Sequence, residues 1–330
     1  MTTYKGEKGF EVETLASDPT TPGSAGQLYF NSAGNVFKYV ATGTVGAWSS
    51  GGAMNNGRSA AGGFGTQTSA FVIGGNLPAV TAEMETYNGS SWTVSPAALG
   101  AATTQVTAAG KGTATAGLSY GGGLPTATTN TESWNGTAWS EVNALNTARI
   151  FLGGVGVQGA ALAISGLAPA GTSVEKWDGT SWTEVAEMNS GRLINQGACG
   201  LSTAALVAGG YLQPATAVSA LVEVYNGTAW TEVADLATAK EKKTSFGIQT
   251  EAISVAGGPR TPSPTESFNG TAWSEVADMA TPHSYMASGG SSGTAGVVAG
   301  GTGYPGTPDA LTITEEWTIP DVVIKTVATS

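Results

Sequence analysis

An all-β fold assembled from a repeated four-stranded unit is what this sequence predicts, on three observations. The first is an octet, Glu132-Ser133-Trp134-Asn135-Gly136-Thr137-Ala138-Trp139, which returns over 85–92, 175–182, 223–230 and 266–273. The second is a glycine-marked apolar segment recurring at 71–75, 118–122, 162–166, 206–210, 253–258 and 297–301. Its first glycine positions lie 47, 44, 44, 48 and 43 residues apart. The third is composition. With 49 Gly and only 11% charged residues among 330, the chain suits short strands and tight turns better than helices.

Taken in order, residues 1–26 are polar, broken by Gly and Pro, and hold at most a short strand near 10–15. A hairpin follows, 27–30 and 36–40, and then Trp48. Met54 stands six residues after Trp48 and Arg58 ten after it. The same offsets link Trp182 to Met188 and Arg192, Trp230 to Leu236 and Lys240, and Trp273 to Met279 and His283. Trp48 is therefore an orphan copy of the octet's second strand. The octet itself reads as a hairpin. Asn-Gly or Asp-Gly is the strongest local signal for a type I′ turn, which needs positive φ at both central residues. Each unit then has a strand A after the basic position (as over 149–157), a strand B with the Gly pair, a strand C ending in an aromatic, and a strand D with Trp. A period in the forties with four strands is the mark of a propeller blade, and six Gly-marked strands predict six blades.

Closure follows from the same count. The last unit runs through Leu311 to Trp317 with no Asn-Gly turn and no second Trp. A blade without strand D leaves an open edge. The Trp48 strand is expected to fill it, with 321–327 as the competitor. The expected organisation is an anchoring segment over 1–35 and a propeller over 36–330.

Charge and cysteine content exclude several function classes. A net charge of −11 disfavours nucleic acid, which needs a basic stripe. Lys240, Lys242 and Lys243, the one basic cluster, read as a solvated loop. Cys199 permits no intrachain disulfide, and among small neighbours it reads as core. No apolar run reaches the roughly 20 residues of a membrane span. The N-terminus lacks a signal-peptide hydrophobic run, so no membrane insertion and no secretion by that route are expected.

The Gly pair after an apolar strand (Gly121-Gly122 and its counterparts) and the aromatic–Trp pairs Tyr87/Trp92, Trp134/Trp139, Trp177/Trp182, Tyr225/Trp230 and Phe268/Trp273 resemble kelch-repeat propellers. The short Asn-Gly turn departs from the usual kelch unit. More closely the chain resembles kelch-like virion structural proteins of tailed, marine-type bacteriophages. Tyr4-Lys5-Gly6-Glu7-Lys8-Gly9-Phe10 and Gly26-Gln27-Leu28-Tyr29-Phe30-Asn31 carry that likeness. The resemblance spans essentially the whole chain and implies a particle-borne, non-enzymatic protein on the virion surface.

The carboxylates Glu85, Glu132, Glu175, Glu223, Glu266 and Glu315 recur once per unit, whereas catalysis needs one or a pair. They are expected to be structural, as are Trp48, Trp92, Trp139, Trp182, Trp230 and Trp273. The position opening strand A is Arg58, Thr103, Arg149, Arg192, Lys240 and His283, so the sole His occupies a slot held elsewhere by cations. Pairing with the repeated Glu, or ringing of one channel mouth, is expected of these residues. With one His and one Cys the chain offers no metal cluster and no supported triad. No catalytic residue, cofactor or metal is expected. The Asn-Gly-Ser/Thr sites read as turns rather than glycosylation signals.

Recognition falls to the variable B–C loops, since binding usually sits on loops held by a rigid scaffold. The candidate ligand face is Leu77, Pro78, Leu124, Pro125, Tyr211, Gln213, Arg260 and Tyr304. The expected function is a fibre or surface decoration that docks on other virion proteins through 1–35 and presents a face to host surface polysaccharide or protein; homo-oligomers are compatible with it. A purely structural capsid decoration or cement protein and a sugar-active lyase or hydrolase are the alternatives.

Overall fold

The structure, a computed structural model, describes residues 13–17, 28–42, 46–123, 126–167, 171–213, 215–255, 257, 264–303, 310–320 and 322–327. The chain divides into two compact units, one made of Met1–Gly46 with Ile319–Ser330 and the other of Ala47–Thr318.

Six antiparallel sheets of the larger unit, five of them four-stranded and one five-stranded, are numbered I to VI. Sheet I runs from strand A, Gly62–Thr66, through Ser69–Ile73 and Met84–Tyr87 to strand D, Trp92–Val94. Sheet II is Thr107–Ala108, Gly117–Tyr120, Thr131–Trp134 and Trp139–Glu141. Sheet III is Gly153–Val157, Ala160–Ile164, Val174–Trp177 and Trp182–Val185. Sheet IV is Ala198–Leu201, Ala204–Leu212, Ala217–Tyr225 and Trp230–Glu232, with Arg192–Leu193 paired to its second strand. Sheet V is Thr244–Ile248, Glu251–Val255, Thr265–Phe268 and Trp273–Glu275. Sheet VI is Ala287–Gly289, Ala295–Ala299, Thr314–Thr318 and, as strand D, Ala47–Ser50. The A strands contact one another in the cycle I–II–III–IV–V–VI–I, so the sheets form a closed ring.

Strand D of sheet VI is the Trp48 strand, with Trp48 opposite Trp317 and Ala47 opposite Thr318. Sheet I clamps this junction. The Trp92 indole N–H donates to Thr314 Oγ1 at 2.9 Å, the Tyr87 hydroxyl donates to Glu316 at 2.5 Å, and the Gln67 amide donates to the Trp317 carbonyl at 3.0 Å. In every sheet a strand-C aromatic meets a strand-D Trp at 4.9–5.5 Å between ring centroids. Such pairs contribute about 0.5–1.5 kcal/mol beyond burial. The cores lie between neighbouring sheets. Leu162, Ile164, Val207 and Tyr225 share one cluster across III and IV.

Four expectations need correction. The Asn-Gly turns are not type I′. Gly89, Gly136, Gly179, Gly227 and Gly270 take positive φ, but the preceding Asn or Asp does not. Asn88 instead turns its Oδ1 onto the Ser90 and Ser91 N–H groups at 3.0 and 2.9 Å, and Asn135, Asp178, Asn226 and Asn269 repeat this. The side chain satisfies the turn, so the Asn backbone need not be left-handed. Strand A does not start at the basic residue, because Phe151 and its counterparts sit at positive φ and break the extended run. Lys240 and Lys243 are buried at 1% and 0% exposure rather than solvated.

The fourth concerns the boundary after residue 35. Val36–Thr42 belongs to the terminal unit, where Glu13–Leu15 runs parallel to Leu28–Asn31 and Val36–Thr42 lies between Leu28–Asn31 and Val322–Thr326. The tail is thus the partner of Val36–Thr42 and not of sheet VI. Its pairing spans nearly the full chain length, which a local pattern does not reveal.

Candidate functional site

Two constructions define the larger unit's chemistry: a buried carboxylate bracket within each sheet, and the mouth of the channel that the A strands enclose.

In the bracket, the strand-C Glu receives the chain entering strand A. Glu85 accepts the Asn55 and Asn56 N–H groups at 2.8 and 3.1 Å and pairs with Arg58 at 2.8 Å. Glu223 accepts Asn189 and Ser190 at 2.8 and 3.3 Å and pairs with Arg192 at 2.6 Å. Glu266 accepts Ala237 and Thr238 at 2.7 and 3.3 Å and pairs with Lys240 at 3.0 Å. Glu175 accepts Asn146 and Thr147 and pairs with Arg149. Glu85, Glu175 and Glu223 are fully buried. Each carboxylate is thereby desolvated but fully coordinated, the condition under which a buried charge is tolerated. Burial lowers the Arg192 and Lys240 pKa values against the pull of Glu223 and Glu266.

Two sheets depart from this. In sheet II, Thr103 replaces the cation and Glu132 keeps the Gly100 N–H at 2.8 Å, so burial raises its pKa. In sheet VI, Glu315 accepts Ala280 and Thr281 at 2.8 and 3.0 Å. His283 turns away, placing Nδ1 2.7 Å from the Gly300 carbonyl; that carbonyl only accepts, so Nδ1 carries the proton. Its Nε2 is buried with no partner among the described residues, and burial pushes its pKa down to about 4. His283 is thus a neutral, enclosed ring at neutral pH, ill-suited to serve as a base.

The channel mouth was not legible in the sequence. Where each sheet's chain enters strand A, one residue with a side chain is left-handed: Ala60, Gln105, Phe151, Asn195 (with Gln196), Lys242 and Tyr285, at φ between 51° and 66°. Such residues cost about 1–3 kcal/mol each and persist only where neighbours fix them. Here backbone hydrogen bonds between sheets fix them. Gln105 N–H donates to Ala60 O at 2.6 Å, Ala60 to Tyr285 at 3.0 Å, Tyr285 to Lys242 at 2.9 Å, and Asn195 to Phe151 at 3.1 Å. The Gln196 amide reaches across to the carbonyls of Ala61 and Val106, on sheets I and II. Beneath the mouth lies a cavity of about 20 Å³ lined by Gln105, Phe151, Asn195, Gln196 and Tyr285. Gln105 Oε1 is buried there without a partner among the described residues. That volume suits about one water. A left-handed position recurs in every sheet while the side chains differ from sheet to sheet.

The predicted ligand face is only partly placed. Leu77 and exposed Pro78 lie in a small hairpin, Asn76–Leu77 with Ala79–Val80. Tyr211, half-buried, pairs with Leu193 and Val218 in sheet IV's extended strands, and the Gln213 N–H donates to Gly191 O at 3.2 Å. Leu124, Pro125, Arg260 and Tyr304 lie outside the described residues. On the opposite face, between sheets I and II, a surface groove of about 570 Å³ runs past Thr68, Phe71, Asn88, Pro96, Trp134 and Thr137.

No family model matches the chain, and no curated protein matches it in sequence. The solved structure of YjhT is similar to it, with a TM-score of 0.67 at 12% identity, covering 83% of this chain and 99% of that one. The fold is a β-propeller. No helix of the described residues is long and apolar enough to cross a membrane.

Proposed function

We propose that the chain is a non-enzymatic phage virion protein, a fibre or surface decoration, whose propeller presents the channel mouth to a host surface glycan or protein. The observation that carries this reading is the contrast between a left-handed position that recurs in every sheet and the non-repeating side chains it carries at the mouth. Phe151 and Tyr285 offer ring faces, and Gln105 and Asn195 offer amides. Aromatic faces with a few polar groups are what a saccharide or peptide requires. The propeller's ring and the ion-paired brackets of sheets I, III, IV and V supply rigidity, and the carboxylates of those brackets are engaged there rather than free for a reaction. The terminal unit, joined at Gly46/Ala47 and Thr318/Ile319, is the segment left for docking on the particle, alone or with further copies.

Imaging of native particles with an antibody to the terminal unit tests location, and a glycan array with the full chain tests the mouth. Signal on particles and array binding lost in Phe151→Ala or Tyr285→Ala are expected. Absence from particles overturns the virion reading. Unchanged array binding by both variants overturns the mouth as the recognition site.

A further inference from the structure

We propose that the terminal unit pairs with a second copy of itself through the open face of its sheet, which carries Leu28, Phe30, Phe37, Tyr39 and Val327. The register sets these five side by side. Leu28 lies opposite Tyr39 and Phe30 opposite Phe37, and the Val327 N–H donates to the Phe37 carbonyl at 2.9 Å. The Phe30 and Phe37 rings are 5.1 Å apart.

This face inverts the usual alternation. An antiparallel sheet with one covered face turns its polar residues outward. Here the covered face takes Tyr29 and Asn31, 1% and 6% exposed, and half-buried Lys38. Phe37 and Tyr39 flank Lys38 in the same strand and stand 47% and 36% exposed, beside Leu28 and Val327 at 39% each.

Size and charge name the occupant. The unit's two stretches are 46 and 12 residues long and hold no cysteine. Domains so small bury little apolar surface alone and are usually completed by disulfides, a metal or oligomerisation. No group of metal-ligating residues occurs among the described residues, which leaves oligomerisation. Four of the chain's 13 Lys and Arg and five of its 24 Asp and Glu lie in this unit, so it carries −1 of the net −11 and the propeller −10. Two copies meet here with little repulsion, whereas contacts between propellers are opposed by like charge. A two-fold axis sets the same apolar rows against each other, and two sheets packed face to face lie about 10 Å apart. Four strands of up to seven residues make a face of roughly 15 by 23 Å. That is the low end for a specific interface, so the dimer is expected to dissociate on dilution.

The pairing requires no particle, so the purified full chain tests it, by sedimentation over a concentration series with amide hydrogen exchange at both ends of the series. A reversible dimer of the 32.9 kDa chain is expected, with 28–31 and 36–42 exchanging more slowly as it forms. Phe37→Glu puts a carboxylate at an already exposed position and is expected to weaken the dimer about 30-fold or more, the effect of losing a central aromatic. Its exchange at low concentration is expected to match the wild type's, which shows the unit still folded. Val94→Glu, at an exposed apolar position of sheet I, is expected to leave the dimer unchanged. A wild type monomeric throughout, a dimer equally strong in Phe37→Glu, or one lost equally in Val94→Glu overturns the proposal. So does exchange over 28–42 that is independent of concentration, which means that no second copy covers the face.

Discussion

Replacing Lys243 with Met is predicted to stabilise the protein. Lys243 occupies the strand-A register held by Ala61, Val106, Leu152 and Met286, all nearly fully buried, and it is itself 0% exposed. Its Nζ has one long contact, 3.4 Å to the Gly197 carbonyl. It is threaded past three glycines: a Cβ at Gly197, Gly209 or Gly257 would meet its side chain at 2.1, 2.9 or 2.7 Å. Burial, then Lys240 and Arg192, push its pKa from 10.5 down to about 7, against the weaker pull of Cys199 and Glu266. At ~1.4 kcal/mol per tenfold change in protonation, that costs about 4 kcal/mol at pH 7. A depressed pKa means the unfolded chain holds a proton that the folded chain sheds. The penalty is present in full below about pH 7 and is relieved as pH rises toward 10.5, by ~1.4 kcal/mol per pH unit.

Cys199 works in the opposite sense. Burial pushes its thiol from 9.0 up to about 12, so its contribution is present below pH 9 and lost as pH rises through that window. Urea unfolding midpoints of the wild type are therefore expected to rise between about pH 7 and 9 and to flatten above. Those of Lys243→Met are expected to start about 3–4 kcal/mol higher, stay level and then fall. A variant no more stable than wild type at pH 7, or with the same upward slope, refutes the reasoning.

Thr103→Arg restores the bracket cation in sheet II; it is expected to add about 1–2 kcal/mol and to return the raised Glu132 pKa toward normal, read by thermal melting and by carboxyl NMR titration. Arg149→Ala strips the counter-ion from fully buried Glu175 and is expected to cost about 3–5 kcal/mol in urea unfolding. Trp48→Ala removes the ring that packs on Trp317 and Phe246, at an expected cost of about 3–5 kcal/mol. Ala60→Gly relieves a left-handed residue at φ 53° and is expected to raise the melting midpoint, by about 1 kcal/mol in stability.

The propeller was legible because its determinants are local and repeated. The octet gives a hairpin, and the Gly pair marks the end of strand B, where Gly74, Gly121, Gly209 and Gly300 at positive φ approach the next sheet's backbone. The mouth was illegible for the opposite reason. Its left-handed residues include Phe151 and Tyr285, types that signal strand and not turn, and their φ is imposed by inter-sheet backbone hydrogen bonds that exist only once the ring has closed. Lys243 misled for a similar reason. Its charge reads as surface, whereas its register relative to Met286 places it between sheets IV and V. The register argument was available from the repeat and outranks the charge.

The two chain ends are locked twice. In sheet VI the Trp48 strand from one end pairs with Thr314–Thr318 from the other, and in the terminal unit Val36–Thr42 pairs with Val322–Thr326. Ala47 and Thr318, from which both connections to the terminal unit leave, are direct cross-strand partners. Opening the ring at its seam therefore requires parting Ala47–Ser50 from Thr314–Thr318 while the second pairing still tethers their neighbours. A tether of that kind keeps the effective concentration of the separated strands high and favours reclosure. The expectation is kinetic: a substitution in Val322–Thr326 that disrupts pairing, such as Ile324→Pro, speeds unfolding of the larger unit, although no residue of that strand belongs to it. Unfolding rates followed by the fluorescence of Trp48 and Trp317 measure this. An unchanged rate, with the terminal unit shown to be unfolded, means that the sheet VI seam alone sets the barrier.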